Sequence, residues 1–240
     1  MRLVCMFLYL LCSGTLIAMP AFADPVDSAN PKPVAASQLA AKADAVRPMP
    51  EAAVGDHWTY EVRDQITDEL KRTITATITD TTDKKISIRR NIEGKHGAFA
   101  FRTYDRAWNL YVNGDLRYEP RDGTGVKLPL VVGNKWSFRA DVVNSNNGRA
   151  WRRIGTSRVV SEEKVTTAAG TFDAFKIETS FVAHNTRNHR TQYKSDWVTW
   201  YAPAIDHWVK RTIVFRANGR VRQKISFILT AYGRRKSRSY

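Results

Sequence analysis

From Gly55 onward, apolar and polar side chains exchange places at every second residue. That period of two is what a half-buried β-strand imposes, because successive side chains point to opposite faces of a sheet. Trp58, Tyr60 and Val62 alternate with polar neighbours, as do Ile74, Ala76 and Ile78, then Ile86 and Ile88. Trp136, Phe138, Ala140 and Val142 repeat the pattern, and Phe175, Ile177 and Phe181 continue it. Turn signals punctuate these runs at Asn113-Gly114, Gly133-Asn134, Asn146-Asn147-Gly148, Ala169-Gly170 and Asn218-Gly219. No stretch carries convincing helical spacing, so the reading is all-β, with about ten strands joined mostly as antiparallel hairpins.

Register can be argued one step further. With a two-residue turn at Asn218-Gly219, Phe215 would face Arg222 and Ile213 would face Lys224, mixing core and solvent positions on one face. A three-residue turn with a glycine bulge puts Ile213, Phe215 and Ala217 on the face of Val221, Ile225 and Phe227. At Asn113-Gly114, only an odd-numbered loop aligns Trp108, Leu110 and Val112 with Leu116 and Tyr118. Both hairpins are therefore expected to carry a bulge.

The start of the chain reads as an address. Arg2 precedes the apolar run Leu3 to Met19, and Ala21-Phe22-Ala23 supplies the small residues of a secretory cleavage site, with the cut before Asp24. The run is shorter than the ~20 residues a spanning helix needs, so no transmembrane span is expected in the mature chain. Cleavage would leave 240 − 23 = 217 residues and remove both cysteines, Cys5 and Cys12. The mature chain then depends on its core rather than on disulfides, and thiol or zinc–thiolate chemistry is excluded. Residues 24–53 form an Ala/Pro-rich flexible tether without an aromatic residue, residues 54–233 the β-rich domain, and residues 234–240 a basic tail.

Charge is concentrated late in the chain. The whole sequence carries 38 Lys and Arg against 23 Asp and Glu, a net +15. Residues 181–240 alone hold 13 basic and two acidic side chains. In the register above, Arg216, Arg220, Arg222 and Lys224 share the solvent face of the last hairpin, and Arg234, Arg235 and Lys236 follow it. Such a face attracts polyanions. A secretory leader argues against nucleic acid and for anions of the envelope: lipid phosphate, lipopolysaccharide or peptidoglycan. The same charges would also keep an edge strand from pairing.

Familiar catalytic motifs are missing: there is no HExxH, GxSxG, Walker A or dinucleotide fingerprint. Asp56-His57 and Asp206-His207 resemble dyads on paper, but side chains of adjacent residues diverge. His184 and His189 flank a polar turn that offers no further metal ligands. No catalytic residue, metal site or cofactor is assigned. Among the seven tryptophans, Trp58, Trp136 and Trp208 read as core. Trp151, amid Arg149, Arg152 and Arg153, is the candidate for an exposed aromatic with cation–π neighbours.

Two phrases carry a resemblance. Glu163 to Ile177, EKVTTAAGTFDAFKI, resembles a phrase of exported bacterial β-rich domains of unknown function called TapB-like. Trp200-Tyr201-Ala202-Pro203 with Trp208-Val209-Lys210 is similar to that group's second phrase, as is the opening Gly55-Asp56-His57-Trp58. The group usually has a glycine near Asp206, where this chain departs from it. The resemblance implies an antiparallel sheet curled into a barrel or half-barrel in the bacterial envelope, and carries over no catalytic residue. The expected function is a non-catalytic periplasmic (or secreted) binding module whose basic hairpin favours anionic partners. A structural or assembly protein with a protein partner is the alternative, and a hydrolase of unknown substrate a further one.

Overall fold

The computed structural model describes residues 51–94 and 99–234. The expected leader, its cleavage after Ala23, both cysteines and the tether up to residue 50 lie outside the described residues, as does the tail from Arg235.

Twelve strands follow one another: β1 (His57–Asp64), β2 (Leu70–Thr81), β3 (Lys85–Ile92), β4 (Phe99–Asp105), β5 (Leu110–Asn113) and β6 (Leu116–Glu119) make the first half. The second half is β7 (Lys135–Asn144), β8 (Ala150–Thr167), β9 (Gly170–Asn185), β10 (Gln192–Ala202), β11 (His207–Ala217) and β12 (Arg220–Gly233). Each strand pairs antiparallel with the next, and β1 pairs with β12, so the sheet closes into a barrel. The all-β expectation is met with twelve strands instead of about ten. β5 and β6 span four residues each, too short for alternation to register in a sequence.

The alternation maps onto inside and outside. Trp58, Tyr60 and Val62 of β1, Ile74, Ala76 and Ile78 of β2, and Ile86 and Ile88 of β3 are all buried. Burying a large aliphatic side chain contributes about 1.5–3 kcal/mol, and the described residues contain no cysteine. On the outside of β8 and β9, Arg158, Lys164, Asp173 and Glu178 are exposed, together with Ile154. No helix of the described residues is long and apolar enough to cross a membrane.

The two hairpin registers differ from expectation. Ala217 pairs with Arg220, so the β11–β12 loop is the two residues Asn218-Gly219, both with positive φ (53° and 72°). The bulge lies higher, where Arg216 opposes Val221 and Phe215 opposes Gln223, leaving Arg222 as the extra residue. Below it, Ile213 faces Ile225 and Arg211 faces Phe227, as the core pattern requires. Twist-matched two-residue turns are the favoured hairpin connection, so the chain keeps the turn and corrects the parity further up the strand. Val221 thereby stands on the solvent face, 47% exposed, rather than with Ile225. Likewise β5 and β6 join through Gly114-Asp115 alone, and the bulge sits between β4 and β5, where Tyr104 pairs Leu110 but Thr103 pairs Val112.

The meander sends the β1–β2, β3–β4, β5–β6, β7–β8, β9–β10 and β11–β12 connections to one end, the mouth. The other end, the base, receives the remaining connections and the entry from Glu51. There the segment between β6 and β7 folds inward: Val126 N–H donates to Ala107 O at 2.7 Å and Leu110 N–H to Asp122 Oδ1 at 2.8 Å. Gly125 is pressed against that wall, since a Cβ on it would lie 2.1 Å from Ala107 O.

Candidate functional site

The base holds the side chains that most resemble catalytic machinery. His207 stacks on Trp58 with ring centroids 4.2 Å apart, and its Nδ1 meets the Tyr60 hydroxyl at 2.5 Å. The same hydroxyl donates to Trp208 O at 2.8 Å. Asp206 turns the other way, accepting from Trp108 Nε1 at 2.9 Å and from the Tyr201 hydroxyl at 2.6 Å. The neighbours Asp206 and His207 thus serve separate partners and form no dyad. Burial, with the positive charge of Arg211 second, pushes the His207 pKa well below its ordinary value, so the ring is neutral. Burial also raises the Asp206 carboxyl, against its two hydrogen bonds. His207 is 1% exposed and Trp58 fully buried. The cavity beside them, lined in part by Trp108, Val126 and Arg211, holds only about 10 Å³, room for one water. The base is packed.

Asp206 closes the 3-10 turn Pro203–Ile205 with φ 49° and ψ 40°, a left-handed conformation that favours glycine and that aspartate tolerates better than most residues. Its carboxylate gains two buried donors that a glycine could not engage.

Above the base, the inward parity of several strands is occupied by arginines. Arg90 follows Ile86 and Ile88 on β3, Arg102 precedes Tyr104 on β4, Arg153 lies on β8, and Arg211 precedes Ile213 on β11. Arg153 is 3.9 Å from the buried carboxylate of Asp122 and lies over the Tyr118 and Phe181 rings at 5.0 and 4.6 Å. Burial raises the Asp122 pKa, opposed first by Arg153 and then by its Thr124 hydrogen bonds and Leu110. Arg211 lies over the Trp208 ring at 3.9 Å, and its Nε donates to Thr199 Oγ1 at 2.9 Å. Arg102 donates to Asn113 Oδ1 at 2.8 Å and to the Tyr104 hydroxyl at 3.3 Å. Burial, with Arg102 among the further causes, lowers both Arg90 and Arg211 to about 10.

Toward the mouth the lining turns aromatic. Trp151 lies 5.3 Å from Tyr193, and Tyr193 5.1 Å from Phe215. Trp151 is therefore half-buried in the mouth, packed on aromatic neighbours. The arginines beside it in sequence go elsewhere: Arg152 pairs with Asp141 at 2.7 Å on the outer wall, and Arg153 faces Tyr118 and Phe181.

The residues proposed as one basic face are divided. Arg216 is engaged by Asp196 in an ion pair. Arg220, Arg222 and Lys224 are exposed at the mouth, although Arg220, opposite Ala217, takes inner-face parity. Arg234 sits at the base, the opposite end of β12, where Nε meets Asp56 Oδ2 at 2.9 Å and Nη2 donates to Glu51 O at 3.0 Å. Arg235 and Lys236 lie outside the described residues. Basic residues from other loops reach the mouth instead, namely Arg149 of the β7–β8 loop and Arg187 and Arg190 of the β9–β10 loop, all exposed. Acidic residues Asp68, Glu69 and Asp115 occupy the loops of the other half of the ring. Among the described residues, no three His, Cys, Asp or Glu side chains converge as a metal site.

No family model matches the sequence, and no curated protein does either. The TapB-like resemblance therefore rests on its quoted phrases. Solved structures of low identity align with the chain. A candidate lipoprotein from Parabacteroides distasonis aligns with TM-score 0.51 at 10% identity, over 77% of this chain and 97% of its own. A candidate exported protein with a YmcC-like fold from Bacteroides fragilis aligns with TM-score 0.48 at 13% identity, over 76% and 97%. The hypothetical lipoprotein YmcC from Escherichia coli aligns with TM-score 0.43 at 10% identity, over 81% and 93%. At such identities the first of these likenesses speaks for the closed β-barrel fold and for nothing finer.

Proposed function

We propose that this chain is an exported, non-catalytic protein of the bacterial envelope, periplasmic or secreted, whose mouth engages anionic envelope components through its basic half. The observation that carries the reading is the gathering of Arg149, Arg187, Arg190, Arg220, Arg222 and Lys224 from three successive mouth hairpins. Edge protection, the other use for charges on the last hairpin, has no purpose in a closed ring, because β12 is paired on both sides. The packed base supports the non-catalytic part, since its histidine and aspartate are committed to Tyr60, Trp108 and Tyr201.

Basic residues at an anionic surface contribute about 1 kcal/mol each, so a triple change of Arg220, Arg222 and Lys224 to Gln weakens binding by roughly 100-fold. Co-sedimentation with phosphatidylglycerol-containing and pure phosphatidylcholine vesicles across a salt series tests this. Retention on the anionic vesicles only, falling with salt and lost in the triple variant, is the expected result. Retention indifferent to lipid charge and salt removes the electrostatic part of the proposal.

A further inference from the structure

The ring closes beside the basic hairpin, because β1 pairs with β12 on one side and β2 on the other. The β1–β2 loop is fastened to β12 there. Gln65 N–H donates to Lys224 O at 2.8 Å, and Gln65 Nε2 donates to Ser226 Oγ at 2.9 Å. Asp64 shapes the turn that follows: its Oδ1 accepts from Ile66 N–H at 2.8 Å, and its own N–H donates to Glu69 O at 2.9 Å. The backbone of Ile66 is thus held next to the level of Lys224, while its side chain is 68% exposed, more than any other large hydrophobic residue described. Leu70, opposite Arg63 where the turn closes, is 49% exposed, and Val221 stands exposed between Arg220 and Arg222.

The charges of this lip are unequal. Among the described residues, Arg220, Arg222 and Lys224 enter no ion pair. Lys71 answers two acids of the turn, with Nζ 2.7 Å from Glu69 Oε2 and 4.0 Å from Asp64 Oδ2. Asp68, in a left-handed conformation at φ 58°, is the acid of the turn outside any ion pair among the described residues. A glycan or soluble polyanion would satisfy the three cations and leave the aliphatic side chains in water. An anionic bilayer offers both media: phosphates for the cations and an acyl boundary for the apolar groups. Long basic side chains suit that boundary, since their stems lie along apolar surface while their heads stay among the phosphates.

We infer that this lip is a bilayer-insertion device: Ile66, Leu70 and Val221 enter the acyl boundary of an anionic phospholipid membrane while Arg220, Arg222 and Lys224 hold its phosphates. The inference rests on the anionic-surface reading of the mouth and names the bilayer as its partner. The barrel docks tilted, with the seam between β12 and the β1–β2 loop leading.

Titration against phosphatidylglycerol-containing vesicles and, in parallel, against immobilised dextran sulfate tests it, because the second probe carries charge without an apolar phase. The double variant Ile66→Ser, Leu70→Ser should bind the vesicles about 10-fold or more weakly and dextran sulfate as the wild type does. Ile66→Trp, which enlarges the apolar group and removes no charge, should tighten vesicle binding alone. Asp68→Asn keeps a residue that tolerates the left-handed backbone and should strengthen vesicle binding by about fivefold. An unchanged Tm verifies that each variant keeps the fold. Wild-type affinity for vesicles in both Ile66 variants, with salt-dependent retention intact, overturns insertion and leaves the electrostatic reading standing. Equal losses on the two probes overturn insertion as well, and no effect of Asp68→Asn puts the contact elsewhere on the mouth. A wild type retained by neither probe removes the electrostatic reading itself, and this inference with it.

Discussion

His207 provides a test of the packed base through pH. Its ring is held neutral by burial, while in the unfolded chain a histidine titrates near pH 6.5. Below that pH the unfolded chain takes up a proton that the folded one refuses, so acidification costs stability. Between pH 7 and pH 5 the loss from this residue alone is about 2 kcal/mol. Asp206 and Asp122 act in the opposite sense, since burial raises both and the folded chain binds their protons more readily. Their contribution is removed by comparison with His207→Phe, which keeps a flat ring between Trp58 and Trp208 and cannot titrate. The Tyr60 hydroxyl still has Trp208 O to donate to in that variant. Urea unfolding followed by far-ultraviolet circular dichroism at several pH values gives both curves. The stability advantage of the wild type over the variant should shrink by about 2 kcal/mol from pH 7 to pH 5. Parallel curves over that range would refute a neutral, buried His207.

Two further substitutions test the packing. Gly155→Ala places a Cβ 2.5 Å from both Phe138 Cζ and Phe181 Cβ and 2.7 Å from Ser180 O, so something on the wall must move. Overpacking of this kind costs about 1–3 kcal/mol, and calorimetry should show Tm lowered by roughly 4–8 °C. Asp206→Gly relieves the left-handed backbone but strands the buried Trp108 N–H and removes an acceptor from Tyr201. The lost hydrogen bonds outweigh the relief, and urea unfolding should register a net loss of about 2 kcal/mol. A gain in stability would mean that the carboxylate is dispensable.

Alternation revealed the architecture because the wall of a barrel enforces it: Trp58, Tyr60 and Val62 could be assigned inward from spacing alone, and they are buried. Bulges were harder, since an extra residue such as Arg222 leaves no compositional trace and the favoured turn hides the parity change behind it. The interior arginines escape a sequence reading for a different reason. Arg90 sits in phase with Ile86 and Ile88, and Arg211 with Ile213 and Phe215, so parity already pointed them inward. Charge ordinarily marks solvent exposure, which points a sequence reading to the final hairpin instead. Proximity across the ring, such as Trp108 Nε1 meeting Asp206 over 98 positions of sequence, is a property of closure that no local pattern contains. Arg234 illustrates the same limit: it continues a basic run in sequence, yet ends beside Asp56 at the far end from the hairpin tip.

The seam between the first and last strands governs how the molecule is assembled. Thr230 Oγ1 donates to Thr59 O across 171 positions of sequence, so closing the ring joins strands that lie far apart in the chain. Until that late, slow encounter, two long bare flanks lie open to other copies. Afterwards neither flank remains, and self-association by strand addition has no foothold.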